Sequence, residues 1–469
     1  MTCTRRAAAV VMAVAAAVIP AGALAVSATP NDPYFGVQWG LHGSPASTNA
    51  NQAWCASTGA GILVADIDTG VDFGHPDLGG HLVAGAAFTS GSSNPSSPTP
   101  DAVGQGAVMD DYGHGTMTTG LMVAGAGNGT GIAGAAPGAR ALVMKVFGQH
   151  TNSSTGQTTY DAYDSDVSSA VVWAAQHGAR VVNLSLGPSV PVVSSALGDT
   201  IPQTVQWAAQ NGVAVAIAAG NTYIPAADYL GMQKYALVVG ALGPSGARAS
   251  YSQSGTGVNI YAPGGDGPGG DPGSDIISTF PTYPLPAANQ PLSENVAPGY
   301  AAYDGTSFAT PYTAAVLALL MAHGDSSDQA RQQILNTAST VGGRPAVDAP
   351  AALGACTAAQ SGGAGGTRSG GGVAGAPAGQ AGGGAARPGA AAASASAAPA
   401  TGSPSPGTGQ AAAPADPGVA GGPASAVPGG SGSSGGGPSP LVLGVLAALV
   451  ILGAPLGAWL VRSLRRPPV

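Results

Sequence analysis

The sequence predicts an α/β fold: a mainly parallel β-sheet with helices on both faces. Three observations carry this. Short apolar runs recur through residues 31–356, helical patterns separate them, and polar residues cluster just after the runs. Runs that are apolar almost throughout suit strands buried on both faces, and their alternation with helices suits β-α-β units. In chain order, residues 61–67 (GILVADI) run into Asp68-Thr69-Gly70. A His-Gly-Thr turn at His114 opens the helical stretch GTMTTGLMVAGA, and residues 141–146 (ALVMKV) follow a Pro-Gly turn. Helical residues 166–177 precede the run 180–186 (RVVNLSL), and helical residues 200–210 precede 212–219 (GVAVAIAA). Residues 236–239 (ALVV) read as one more strand, and Ser307 opens the long helical stretch FATPYTAAVLALLMAHG.

The 469 residues are 44% hydrophobic and only 8% charged, with 76 Gly and 39 Pro. That average covers a mixed-composition block and a Gly/Ala/Pro/Ser tract after it. The block, 29–356, is long enough to bury a large core as one domain. Net charge is −8 and the lysines are Lys145 and Lys234, so no basic stripe favours nucleic acid as a partner.

Residues 1–28 read as a signal peptide. Arg5 and Arg6 precede the apolar stretch 7–19, and Ala23-Leu24-Ala25 or Val26-Ser27-Ala28 offers a cleavage site. An uncleaved anchor helix is the alternative, but the run is short and ends at Pro20. Cys3 leaves with the signal, so Cys55 and Cys356 remain for one disulfide in an oxidising compartment, or as two buried thiols. Residues 357–440 carry almost no charge or aromatic side chains and read as a disordered stalk. A coil of that length spans on the order of 50 Å. Residues 441–461 are free of charge and long enough for a transmembrane helix of about 30 Å. Arg462, Arg465 and Arg466 follow, placing the tail 462–469 in the cytoplasm and the folded block outside.

In a parallel sheet, ligands bind beyond the carboxyl ends of the strands. There the sequence sets a carboxylate (Asp68), an amide (Asn221) and the segment Ser185-Leu186-Gly187, with His114 and Ser307 opening helices. A serine hydroxyl needs a base to become a nucleophile, and imidazole titrates near neutrality. A carboxylate fixes the imidazole's tautomer and stabilises its charged form. An amide and a helix-start N–H can hold an oxyanion. Ser307 alone could equally be a helix cap, and His75 and His81 read as structural or solvated histidines.

The segments DTGVDFGHPDL (68–78), HGTMTTG (114–120), AAGN (218–221) and GTSFATP (305–311) together resemble the subtilisin-like serine proteases over about residues 31–352. The resemblance implies a three-layer subtilisin-like fold and a serine endopeptidase acting on polypeptide substrates. It assigns Asp68, His114 and Ser307 to a triad and Asn221 to the oxyanion hole. Ser185, Leu186 and Gly187, with Ala218, Ala219 and Gly220, would bind substrate backbone. Asn31-Asp32-Pro33-Tyr34 is similar to the thermitase branch, which implies Ca²⁺ held by Asp32, Asp77, Asn128 and carbonyls at Ala126, Thr130 and Ile132. A metal-free Asn/Asp/Gly turn is the alternative.

Asp66 stands where the family usually has an apolar residue, either paired or lowering activity. Met117 replaces a common histidine. No room is expected for a folding pro-domain. Residues 264–299 read as a long Gly/Pro-rich loop, a lid, a processing site or a solvated insertion. The segment TYIPAADYL after Asn221 assigns no substrate preference. Signal, protease, stalk, membrane helix and basic tail together resemble the mycosins, membrane-anchored subtilases of type VII secretion. That implies a cell-membrane location in a GC-rich actinobacterium, and as an alternative role a subunit that stabilises a secretion complex.

Overall fold

The structure, a computed structural model, describes residues 28–354 except 152–155, 157, 188–199, 229–230, 268–271 and 287–293. Its strands are β1 (Leu63–Asp68), β2 (Leu82–Ala87), β3 (Ala102–Val103), β4 (Arg140–Lys145), β5 (Gly148–Thr151), β6 (Thr158–Asp161), β7 (Val181–Leu184) and β8 (Ala214–Ala218). They continue with β9 (Leu237–Leu242), β10 (Ile260–Pro263), β11 (Ile276–Thr279), β12 (Glu294–Ala297), β13 (Tyr300–Tyr303), β14 (Ser339–Val341) and β15 (Arg344–Ala346). The helices are α1 (His114–Val123), α2 (Asp164–Gln176), α3 (Thr200–Gln210), α4 (Thr306–His323), α5 (Ser327–Asn336) and α6 (Ala349–Leu353).

Ten strands form one sheet in the order β14-β15-β10-β9-β8-β7-β1-β4-β2-β3. The pairs from β15 through β2 are parallel, and the two ends close with antiparallel pairs. Starting from β1, the chain builds one side through β2 and β4, then crosses to build the other from β7 onward. The carboxyl ends of β1 and β7 therefore flank the switch point where such sheets bind ligands.

Strand alternation splits the core into two layers. Val64, Val181, Ala216 and Val239 pack with α1 and α4, whereas Ala65, Val182, Val215 and Val238 pack with α2 and α3. Helix α4 is buried nearly all round from Phe308 to Met321, as an interior helix must be. Its alanines 309, 314, 315 and 318 let it approach the sheet. Leu317, Leu319 and Leu320 are buried and each contributes about 2 kcal/mol by leaving water.

One expectation needs correction. Residues 264–299 are more than a loop: β11 and β12 flank β13 in a three-stranded antiparallel sheet. The hydroxyls of Ser278 and Thr279 donate to the carbonyls of Met117 (2.6 Å) and Thr116 (2.7 Å), which fastens this sheet onto α1. Ser307 is not a helix cap, because Gly305 occupies that place and Ser307 is the second residue of α4. Pro311 lies deeper in the helix than its start. It lacks the N–H that would bond the carbonyl four residues back, that of Ser307.

His75 and Met117 are buried, and the His75 ring bonds Gly299 O (2.8 Å) and accepts from Asp77 N (3.2 Å). Cys55 is disulfide-bonded, and Cys356 lies outside the described residues. Among the described residues no helix is long and apolar enough to cross a membrane. The stalk 357–440, the span 441–461 and the tail 462–469 lie outside them, as does the signal peptide up to residue 27.

Candidate active site

Asp68 ends β1 and is buried. Its carboxylate accepts the Thr69 N–H (2.8 Å) and holds His114 Nδ1 at 2.7 and 2.9 Å from its two oxygens. His114 is the first residue of α1, so the position of that helix sets the position of the ring. Asp110 anchors the helix start, accepting N–H bonds from Gly113 (2.8 Å) and Thr116 (2.9 Å) and hydroxyl bonds from Thr116 (2.6 Å) and Thr69 (2.8 Å). A carboxylate there satisfies orphan donors and meets the positive end of the helix. At Gly115 a Cβ would fall 2.2 Å from Gly70 O, so only glycine lets α1 approach the turn after β1 so closely. Burial alone lowers the His114 pKa, but Asp68, with Asp66 and Asp110, outweighs it and holds the imidazole above its usual value.

The Ser307 carbonyl, freed by Pro311, accepts the Ser185 hydroxyl at 2.8 Å. The Phe308 ring lies 5.5 Å from the His114 ring, which sets the imidazole beside the first turn of α4. Among the described residues no hydrogen bond joins His114 to Ser307, a contact that characteristically tightens when substrate binds. Asn221 Oδ1 accepts the Thr306 N–H (3.0 Å) and the Thr306 hydroxyl (2.8 Å). Because that N–H can only donate, the Asn221 oxygen must face it and the amide nitrogen is left to donate elsewhere. Thr306 thus orients Asn221, a role that sequence reasoning missed.

Asp66 is paired. Its position two residues before Asp68 puts both carboxylates on the α1/α4 face of β1. It accepts Thr118 Oγ1 (2.8 Å), Thr119 Oγ1 (2.5 Å) and Asn183 Nδ2 (2.8 Å). Asn183 also donates to Ser185 Oγ (3.0 Å), which in turn donates to Ser307 O. A continuous polar chain therefore links β1, α1, β7 and the start of α4. Burial, then the neighbouring Asp68 charge, pushes the Asp66 carboxyl up to about 7. In Asp66→Asn the negative charge that favours the imidazolium is gone, and the amide oxygen can still accept the two threonine hydroxyls. The acid limb of the kcat/KM–pH profile is expected to move to lower pH, since activity falls as His114 gains a proton. An unmoved limb would refute that coupling. Asp66→Leu strands three buried donors and is expected to cost about 3 kcal/mol in denaturant unfolding.

Ser185, Leu186 and Gly187 leave the end of β7, and Ala218, Ala219 and Gly220 leave the end of the adjacent β8. These two strips open beside Asn221 and Ser307.

Of the predicted calcium residues, the side chains of Asp32, Asp77 and Asn128 meet at the loop after α1. Asp32 accepts the N–H groups of Gly127 (2.7 Å), Asn128 (3.0 Å) and Gly129 (3.1 Å). Asp77 accepts Ile132 N (2.8 Å) and Asn128 Nδ2 (3.1 Å), and the Asn128 oxygen takes Thr130 N (2.7 Å). Burial, together with Asp32, pushes the Asp77 carboxyl up to about 6, against the bonds it accepts. Among the described residues no group of three or more His, Cys, Asp or Glu side chains stands ready for a metal. The donor set still fits a hard cation, with two carboxylates, an amide oxygen within one side-chain rotation, and loop carbonyls.

The sequence matches the Subtilase family over residues 59–365. This chain belongs to the subtilase family. It is 34% identical to thermitase of Thermoactinomyces vulgaris over 316 residues, 67% of this chain and 93% of that one. It is 32% identical to subtilisin Savinase of Lederbergia lenta, covering 65% and 93% of the two chains. An extracellular protease of Xanthomonas campestris is 30% identical over 62% of this chain, which spans about half (49%) of that relative. Among solved structures, a protease of Pseudoalteromonas arctica superposes with a TM-score of 0.56 at 26% identity, over 69% of this chain and 98% of that one. This subtilase is a subtilisin-type serine endopeptidase.

Proposed function

We propose that this subtilase cuts polypeptides outside the cytoplasm through Ser307, His114 and Asp68. The observation that carries the reading is the pairing of buried Asp68 with the half-buried His114 ring at the carboxyl end of β1, set beside the first turn of α4. Ser307 Oγ attacks the scissile carbonyl carbon while His114 Nε2 takes its proton, and Asp68 stabilises the imidazolium. The oxyanion receives hydrogen bonds from Asn221 Nδ2 and from the Ser307 N–H, which at the second helical position has no partner within the helix. The C–N bond breaks, His114 protonates the leaving amine, and an ester remains on Ser307. Water then attacks the ester with His114 as base, releasing the acid and restoring the serine. Substrate backbone pairs with Ser185–Gly187 and Ala218–Gly220 as an added strand. The test is cleavage of denatured casein by the full chain, blocked by an aryl fluorophosphonate; intact casein at every enzyme concentration would refute the reading.

Asp32, Asp77, Asn128 and carbonyls at Ala126, Thr130 and Ile132 would hold Ca²⁺. A bound cation supplies compensating charge to the two carboxylates and fastens the N-terminal segment to the loop after α1. EDTA is expected to lower Tm. With calcium at about 100 times Kd, the lost stabilisation is about 2.7 kcal/mol. An unchanged melting curve would contradict the site.

The bonded state of Cys55 supports a Cys55–Cys356 bridge closing the domain. The charge-free run 441–461 with its arginine flank supports a membrane anchor above which the stalk extends the protease. The same segment order supports a mycosin-like place in a secretion complex. Membrane partners co-purifying with full-length Ser307→Ala would bear this out, and a solitary protein would count against it.

A further inference from the structure

We propose that Asp228 makes this protease select lysine or arginine at the substrate residue whose carbonyl is attacked. The inference rests on the reading above, in which substrate lies along the strips 185–187 and 218–220.

The oxyanion belongs to the acyl-side residue, and its oxygen sits against the Asn221 amide. The side chain of that residue branches one atom from the attacked carbon. It must therefore enter the space beside Gly220, the residue before Asn221, and Gly187, the end of the neighbouring strip. A side chain on either glycine would collide with what fills that space, and what fills it is acidic. A Cβ on Gly220 would meet Asp228 Oδ2 at 2.2 Å and Gln253 Oε1 at 2.3 Å. A Cβ on Gly187 would meet the same Asp228 oxygen at 2.7 Å. One carboxylate oxygen thus stands between the two glycines.

Asp228 is held there firmly. Its N–H donates to Ala219 O (2.9 Å), and its other carboxylate oxygen takes the Gln253 side-chain amide. Gln253 is fully buried, its N–H bonds Gly220 O (3.0 Å), and its side-chain oxygen has no hydrogen-bond partner among the described residues. A buried acceptor left unpaired costs free energy until a donor reaches it. Toward Gly220 the two buried side chains turn two acceptor oxygens, Asp228 Oδ2 and Gln253 Oε1, while the Gln253 amide nitrogen is spent on Asp228; that suits an ammonium or guanidinium group and opposes a carboxylate. Burial pushes the Asp228 carboxyl up to about 7 in the free protein, so an arriving cation would also restore the charge that burial disfavours.

The test uses the full chain and peptides identical except for lysine, arginine, phenylalanine, leucine or glutamate at the acyl-side residue. Lysine and arginine peptides should exceed phenylalanine in kcat/KM on the order of 100-fold, the size expected for a desolvated charge pair. Asp228→Asn and Asp228→Ser should erase that advantage while leaving the phenylalanine peptide cleaved at least as well. A wild-type enzyme that favours phenylalanine or leucine would overturn the proposal and leave the protease reading intact. So would variants that lose all substrates in equal proportion. Failure to cut any peptide would overturn both. Binding of peptide aldehydes ending in arginine or phenylalanine to the wild-type chain gives the same comparison without a variant; equal affinities would overturn the assignment.

Discussion

Ser307→Ala is expected to fold as the wild type does and to hydrolyse peptides roughly 10⁶-fold more slowly, a magnitude established in subtilisin, a relative of this chain. The hydroxyl makes no packing contribution that the fold needs: what ties residue 307 into the structure is its carbonyl, held by Ser185 Oγ, and its place in α4. His114→Ala should lose a comparable amount, and the double variant little more, because the two groups act as one unit. Steady-state hydrolysis of a chromogenic peptide, with circular dichroism to verify folding, checks this. Additive losses would mean that the two residues work separately.

Asn221→Ala is expected to lower kcat by about 10²–10³-fold with little change in KM, the cost of one oxyanion donor as measured at the matching amide of subtilisin. The loss falls on kcat because the donor meets an oxygen that carries full charge only in the transition state. Thr306→Val removes one of the two bonds that fix the Asn221 oxygen and leaves the backbone N–H in place. Its loss should be smaller and in the same parameter. A drop in KM affinity with kcat unchanged would show that Asn221 binds ground-state substrate instead.

The central sheet was legible because its inner strands are mostly apolar, and the helices α1, α2 and α3 precede β4, β7 and β8. β10, β14 and β15 escaped notice because they are four residues or fewer and carry no sustained pattern. β11 and β12 were hidden in a Gly/Pro-rich stretch, where composition outweighed short runs such as Ile276-Ile277. The triad candidates stood out because each lies inside a contiguous motif. Their supports did not, since Asp66 meets Asn183 across 117 positions and Thr118 and Thr119 across 52 and 53. Its spacing of two from Asp68 was the one linear clue. The helix after Ser307 was visible, but its start depends on Gly305, and the freed carbonyl at Ser307 depends on a proline four residues later. Asp228 gave no sign in TYIPAADYL, because what marks it is the pair of glycines facing it from two other segments.

The most direct measurement is labelling of the full chain with an aryl fluorophosphonate, followed by mass mapping of the adduct in wild type, His114→Ala and Ser307→Ala. A single adduct on Ser307, strongly slowed by His114→Ala, is the predicted result. An adduct on another serine, or labelling of Ser307 at the same rate without His114, would contradict the account.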